Sequence, residues 1–265
     1  MIQFSQIEPL YYLLPLLGLI IGLFGTVLGG GGGFFFLPIL TLIFKVPTQT
    51  AVITSLVATV PICVFGSIGH YKKKNIDYSI TEIFAIAGII GTFAGAYLAN
   101  LISSETLKIS FGIYSIILAF NMAVSTHKKL KEERQGETKK LSQCTQITKG
   151  SFFGLFAGMI TGAFGTSGTA PILSGLFSMR ITIKKIIGTS LLIVLVNTIF
   201  AIGAHFIMGK IDLTLVMFLT IGSALGSIAG PKILATIKTD HSENKIRYIY
   251  ATVMAALGVV MIIAK

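Results

Sequence analysis

Apolar residues in this chain come in long runs, without the alternation that marks half-buried strands. Six runs, at about 49–69, 79–101, 106–126, 183–208, 212–237 and 246–264, are long enough as helices to cross roughly 30 Å of hydrocarbon. Two further apolar stretches, about 10–44 and 150–178, are interrupted by glycine clusters. A polar stretch, 127–149, lies between them and carries seven basic residues. The pattern predicts an all-α integral membrane protein. Its expected organisation is a first transmembrane repeat over 1–126, a cytoplasmic linker over 127–149 and a second repeat over 150–265.

The repeat is visible residue by residue. Gly29, Gly32 and Pro38 match Gly162, Gly165 and Pro171 at an offset of 133. At an offset of 135, Thr54-Ser55-Leu56 matches Thr189-Ser190-Leu191, and His70 matches His205. Ile76-Asp77 matches Ile211-Asp212, and Gly91, Ala94 and Gly95 match Gly226, Ala229 and Gly230. Near the ends, Leu107-Lys108 corresponds to Ile246-Arg247 at 139. Duplicated halves are a common construction of secondary transporters.

The glycine-interrupted stretches decide the topology. About a dozen residues before the second break and ten after it would each reach about half a membrane. Either the arms continue in line as one broken span, or they fold back as a re-entrant hairpin. Continuous spans make the halves parallel and divide the 21 basic residues 12 to 9 between the two faces. Hairpins make the halves inverted and divide them 17 to 4. Positive charge concentrates on the cytoplasmic face of membrane proteins. The charge pattern therefore favours two inverted repeats, each a Gly-interrupted re-entrant helical hairpin plus three transmembrane helices, with both termini outside the cytoplasm.

Composition agrees. Hydrophobic residues make up 53% of the chain and charged residues 12%, about half of what a soluble domain carries. The net charge of +11 then reads as topology and gives no support to nucleic-acid binding. The basic-free start, Met1 to Leu10, gives no sign of a cleavable signal peptide. Cys63 and Cys144 suggest neither a disulfide framework nor a metal site, and no cofactor is expected.

The candidate chemistry lies at the breaks. The run Gly29 to Gly33, including Gly30, Gly31 and Gly32, has no side chains to keep a ligand off the backbone. Its counterpart is Gly162-Ala163-Phe164-Gly165-Thr166-Ser167-Gly168. A short helix is expected after each break, with Pro38 and Pro171 near its first turn and Ser167 or Thr169 as an N-cap. Each break would then present free N–H donors and the positive end of a helix dipole to the membrane centre, which is an anion site. Hydroxyls at Thr166, Ser167 and Thr169 add donors. Five consecutive glycines exceed what close helix packing needs, whereas Gly91/Gly95 and Gly226/Gly230 read as packing positions.

Charge limits the substrate further. None of the ten acidic residues falls at mid-span, which argues against a cationic substrate and for a neutral or anionic one. Thr92, Ser227 and Asn197 are the remaining polar candidates near mid-span. His70 and His205 read as interfacial polar residues, with a proton-linked role as the sharper alternative. Asp77 and Asp212 are expected to cap the helices after them. The expected partners are a small anionic substrate and the lipid bilayer, and a homo-oligomer is compatible with the chain.

These residues resemble the TauE/SafE sulfite-exporter family, also called the toluene-sulfonate uptake permease family. The resemblance rests on the Gly-rich run ending in Leu37-Pro38-Ile39-Leu40 and on the second copy ending in Ala170-Pro171-Ile172-Leu173. It rests also on the Thr-Ser-Leu motifs at 54–56 and 189–191 and the Ile-Asp turns at 75–77 and 210–212. It covers nearly the whole chain. The second copy departs from the family pattern, with Thr166-Ser167 where glycines are common. The resemblance implies transport of small sulfur-containing anions such as sulfite, thiosulfate or organosulfonates. An anion channel of the same architecture and a permease for an unrelated anionic metabolite are the alternatives. A membrane-embedded enzyme is disfavoured, since no nucleophile–base constellation stands at mid-span.

Overall fold

A computed structural model describes residues 2–28, 31–132, 142–179, 181–208, 211–234 and 243–264. A 3-10 turn, Pro9–Leu13, leads into α1, Leu14–Leu28. After the first break comes α2, Gly33–Pro38, which runs on as a π turn over Ile39–Ile43. Then follow α3 (Thr48–Lys72), α4 (Tyr78–Leu101) and α5 (Ser104–Glu132). The second half repeats the order with α6 (Gln143–Phe164), α7 (Thr169–Ser178), α8 (Ile183–Met208), α9 (Leu213–Leu234) and α10 (Glu243–Ile263). The six long apolar runs are thus α3, α4, α5, α8, α9 and α10, and the two interrupted stretches are α1–α2 and α6–α7. Two short parallel strands, Ile2–Gln3 and Ile211–Asp212, pair at one end of the bundle.

Five helical stretches among the described residues are long and apolar enough to cross a membrane: Pro9–Thr26, Thr48–Lys72, Tyr78–Leu101, Gln143–Phe164 and Lys184–Phe206. The outward positions match that solvent. Ile86, Ile90, Phe120, Phe152 and Ile221 are all more than half exposed, as suits side chains that face lipid. Asp77 and Asp212 occupy the expected caps. Asp77 Oδ1 accepts from the Ile80 amide at 3.3 Å, and Asp212 Oδ1 accepts from Thr214 at 3.0 Å.

Glycines set how the helices pair. Gly91 lies against the Leu155 carbonyl, Gly95 against that of Met159 and Gly162 against that of Thr92, so α4 and α6 run parallel at backbone contact. Likewise Gly222 meets Pro15 and Gly226 meets Leu19, so α1 runs parallel to α9. A Cβ at any of these glycines would strike main chain, which is the packing role expected of Gly91, Gly95 and Gly226. Each broken segment therefore packs on a helix of the other half.

The remaining pairs complete the directions. On α3, Ala58 accepts a 2.8 Å bond from Ser223, and Ile53 clusters with Val216, so α3 and α9 are parallel. Asn197 abuts Gly88 and Phe200 meets Phe93, so α8 and α4 are parallel. By contrast, Gly66 meets Leu191 and His70 meets Gly188, so α3 and α8 are antiparallel. Ser115 donates to the Met254 carbonyl at 2.6 Å and Lys108 to that of Ala264, so α5 and α10 are antiparallel too. It follows that α1 points the same way as α3, and α6 the same way as α8.

Two details differ from expectation. The first arms are longer than half a membrane: α6 has 22 residues and reaches ~33 Å, while α7 has 10 and reaches ~15 Å. Helix α6 begins at Gln143, seven residues before the apolar run starts, because Ser142 caps it there by accepting from the Thr145 amide at 3.4 Å. And Pro38 ends α2 instead of opening it. Proline has no N–H for the ladder, and beyond Pro38 the helix loosens into the π turn.

Candidate functional site

The two breaks are built on left-handed glycines. Gly165 ends α6 with φ +62° and Gly168 precedes α7 with φ +53°. Gly31 and Gly32 take φ +63° and +68° before α2. Side-chain-bearing residues pay about 1–2 kcal/mol in that region, so the glycines permit a sharp reversal. Gly168 itself is the N-cap of α7, and neither Ser167 nor Thr169 fills that position. Instead the Thr169 hydroxyl donates to Ser167 Oγ at 2.8 Å.

The breaks touch each other. A Cβ placed on Gly33 would stand 3.2 Å from the Ser167 nitrogen, 3.6 Å from the Gly165 oxygen and 2.7 Å from Thr59 Oγ1. A Cβ on Gly31 would stand 3.0 Å from Cys63 Sγ, 3.1 Å from Thr59 Cγ2 and 3.3 Å from Val194 Cγ1. Thr59 lies near the middle of α3 and Val194 near the middle of α8, so the breaks meet at mid-length of both helices. Residues 31–33 and 165–168 are all buried.

The second break carries unspent donors. Among the described residues, the Thr166, Ser167 and Gly168 amides have no acceptor. The Thr166 hydroxyl is also unpartnered, in a residue only 2% exposed. An orphaned donor in a dry interior costs about 1–3 kcal/mol, so a group that supplies an acceptor there would be held. The break is fixed from α3: Ser55 Oγ donates to the Gly165 carbonyl at 2.8 Å and lies equally close to that of Val52. Thr59 in turn donates to the Ser55 carbonyl at 2.8 Å.

The expected site residues divide into two sets. Gly31, Gly32, Gly33, Gly165, Thr166, Ser167, Gly168 and Thr169 come together at the paired breaks, while Gly30 lies outside the described residues. Thr92 and Ser227 are buried but bond their own helices, at the Gly88 carbonyl (2.7 Å) and the Ala224 carbonyl (2.8 Å). Asn197 is fully buried, and neither atom of its amide has a partner. Gly88 makes room for it, since a Cβ there would collide with Oδ1.

Sequence reasoning passed over Thr59, Cys63 and Val194. Their signal was the one-turn spacing of Ser55, Thr59 and Cys63 along α3, which puts all three on one face. His205 is also buried, at 3% exposure, and its Nε2 sits 2.6 Å from the Gly162 carbonyl just before the second break. No group of three His, Cys, Asp or Glu able to hold a metal occurs among the described residues.

Comparison with known proteins points to membrane transporters. The model of the family described as Sulfite exporter TauE/SafE matches residues 14–261. The chain is 29% identical over 223 residues to "Probable membrane transporter protein YdhB" of Bacillus subtilis, covering 82% of this chain and 86% of that one. It is 28% identical over 269 residues to a probable membrane transporter protein of Methanocaldococcus jannaschii, covering 95% and 96%. YunE of Bacillus subtilis, with the same description, is 25% identical over 246 residues, covering 86% and 90%. No solved structure matches. The chain belongs to the sulfite exporter TauE/SafE family and is a multi-pass membrane protein of the transporter class.

Proposed function

We propose that this TauE/SafE family member is a secondary transporter that moves small anions, sulfite or organosulfonates among them, by alternating access around the paired breaks. The observation that carries the reading is the contact of Gly33 with Ser167 and Gly165 at mid-length of α3 and α8. Two helix starts converge there, with unpaired amides and the free Thr166 hydroxyl beside them. Such a cluster favours an acceptor-rich, negatively charged guest.

The proposed frame is two inverted repeats, 1–126 and 150–265, joined by a cytoplasmic linker at 127–149. Its support is directional. The repeat mates α5 and α10 pack antiparallel, as do α3 and α8, which is the arrangement expected of an axis in the membrane plane. Since α1 and α3 point the same way, the chain must return between them, and α2 with its π turn is the returning arm. The same holds for α7 between α6 and α8. These directions favour the topology in which 17 of the 21 basic residues share one face.

Substrate class is tested by equilibrium binding of sulfite, thiosulfate, sulfoacetate and a carboxylate control to the purified protein. Saturable binding of a sulfur oxyanion, at least about tenfold tighter than the carboxylate, is the expected result. Equal affinity for all four would remove the sulfur preference. An anion channel would show instead as turnover of channel size with no counter-transport in reconstituted vesicles.

A further inference from the structure

We infer that a polar stripe on α3, Cys63–Ser67–His70, is the passage by which the anion moves between the breaks and the lysine-rich face. This rests on the reading of the breaks as the anion site. The stripe begins where Thr59 and Cys63 flank Gly31. Ser67 follows one turn on and His70 nearly one turn after that, so the three share a face of the helix. Ser67 is 7% exposed and its hydroxyl has no partner; His70 Nδ1 is buried and also has none. Two orphaned polar atoms in succession are costly inside a membrane unless a transient guest pairs with them.

Helix α8 forms the opposite wall with Val194 at Gly31, Leu191 at Gly66 and Gly188 at His70. The stripe thus has one polar and one largely apolar side. Its outer end lies beside Lys72, Lys73 and Lys74, with Lys185 paired to Asp77 at 3.8 Å. Cationic rims raise the local concentration of anions.

The repeat supplies an internal control. At the offset of 135, Cys63, Ser67 and His70 correspond to Thr198, Ile202 and His205, which lead along α8 towards the opposite face. That side carries bulkier, less polar residues. Ile202 stands in place of Ser67, and Ile53 in place of Gly188. His205 is committed to the Gly162 carbonyl, whereas Nδ1 of His70 is free.

The test is modification of Ser67→Cys and Ile202→Cys by a membrane-impermeant anionic thiosulfonate, in vesicles of both orientations. Mass spectrometry reads each site, so native Cys63 and Cys144 stay in place. Ser67→Cys should react from the lysine-rich face about tenfold faster than Ile202→Cys from either face, and sulfoacetate, which does not consume the reagent, should slow it about threefold. Equal rates at the two sites, entry from the other face only, or indifference to sulfoacetate would overturn the passage. His70→Cys against His205→Cys repeats the comparison should the first pair fold poorly. Transport by Gly31→Leu separates the two ideas. Wild-type transport there removes the site at the breaks, while lost transport with an unreactive Ser67→Cys removes the passage alone.

Discussion

Both breaks turn on left-handed glycines, set in different sequences. The first is polyglycine, and at Gly31 its neighbours are side-chain ends: Cys63 Sγ, Thr59 Cγ2 and Val194 Cγ1. The second carries Thr166 and Ser167, and main chain surrounds it: the Val52 carbonyl at Gly165 and the Ala157 carbonyl at Gly168. Those side-chain ends can give way at Gly31 at small cost. At the second break Ser55 fastens the turn to α3. If both serve one anion, the second break supplies fixed donors and the first supplies room.

The sharpest way to break this comparison is alanine at each turn. Gly165→Ala meets the Val52 carbonyl and the unfavourable φ together, so α3 must move. We expect a loss of several kcal/mol, about 3 or more, and transport down at least about a hundredfold. Gly31→Ala meets flexible side-chain ends and should cost about 1–2 kcal/mol, with transport down about tenfold. Thermal unfolding and vesicle uptake read both. Equal effects at the two positions would erase the difference.

Next in size is Ser55→Ala. It leaves the buried Gly165 carbonyl without its 2.8 Å donor, at a cost of about 1–3 kcal/mol. The melting temperature should fall and uptake should drop about tenfold. Unchanged stability would mean the turn is not fastened from α3. Thr166→Val is smaller and different in kind. Its hydroxyl has no protein partner, so stability should hold or rise while KM climbs about fivefold. A parallel loss of stability would make Thr166 structural. Smallest are Thr92→Val and Ser227→Ala. Both hydroxyls are spent on their own helix carbonyls, so uptake should stay within about twofold of wild type.

Much of this was legible before any coordinates. Apolar runs give the long helices because a membrane demands length and continuity, and the 133–135 offset gives the repeat. The charge count favoured one topology because hairpins would put most lysines and arginines on one face. What stayed hidden was tertiary. The packing of α1 on α9 and of α6 on α4 leaves only isolated glycines in the sequence, which carry no address. Thr59 and Cys63 looked like ordinary polar interruptions of an apolar helix, since the partner that gives them meaning is a backbone turn thirty residues earlier. Thr92 and Ser227 looked alike at mid-span, and only their rotamers show that they face their own carbonyls. The true length of α6 escaped because its first turns are polar, so hydropathy began the arm too late.

The central claim is that the anion sits where Gly31–Gly33 meet Gly165–Gly168. Its most direct test is the sulfite dissociation constant of purified Gly31→Leu, taken beside wild type, with the melting curve recorded on the same samples. The branched side chain would fill the space against Thr59, Cys63 and Val194. A folded variant whose affinity has fallen at least about a hundredfold is the predicted result. A folded variant that binds sulfite as wild type does would contradict the account.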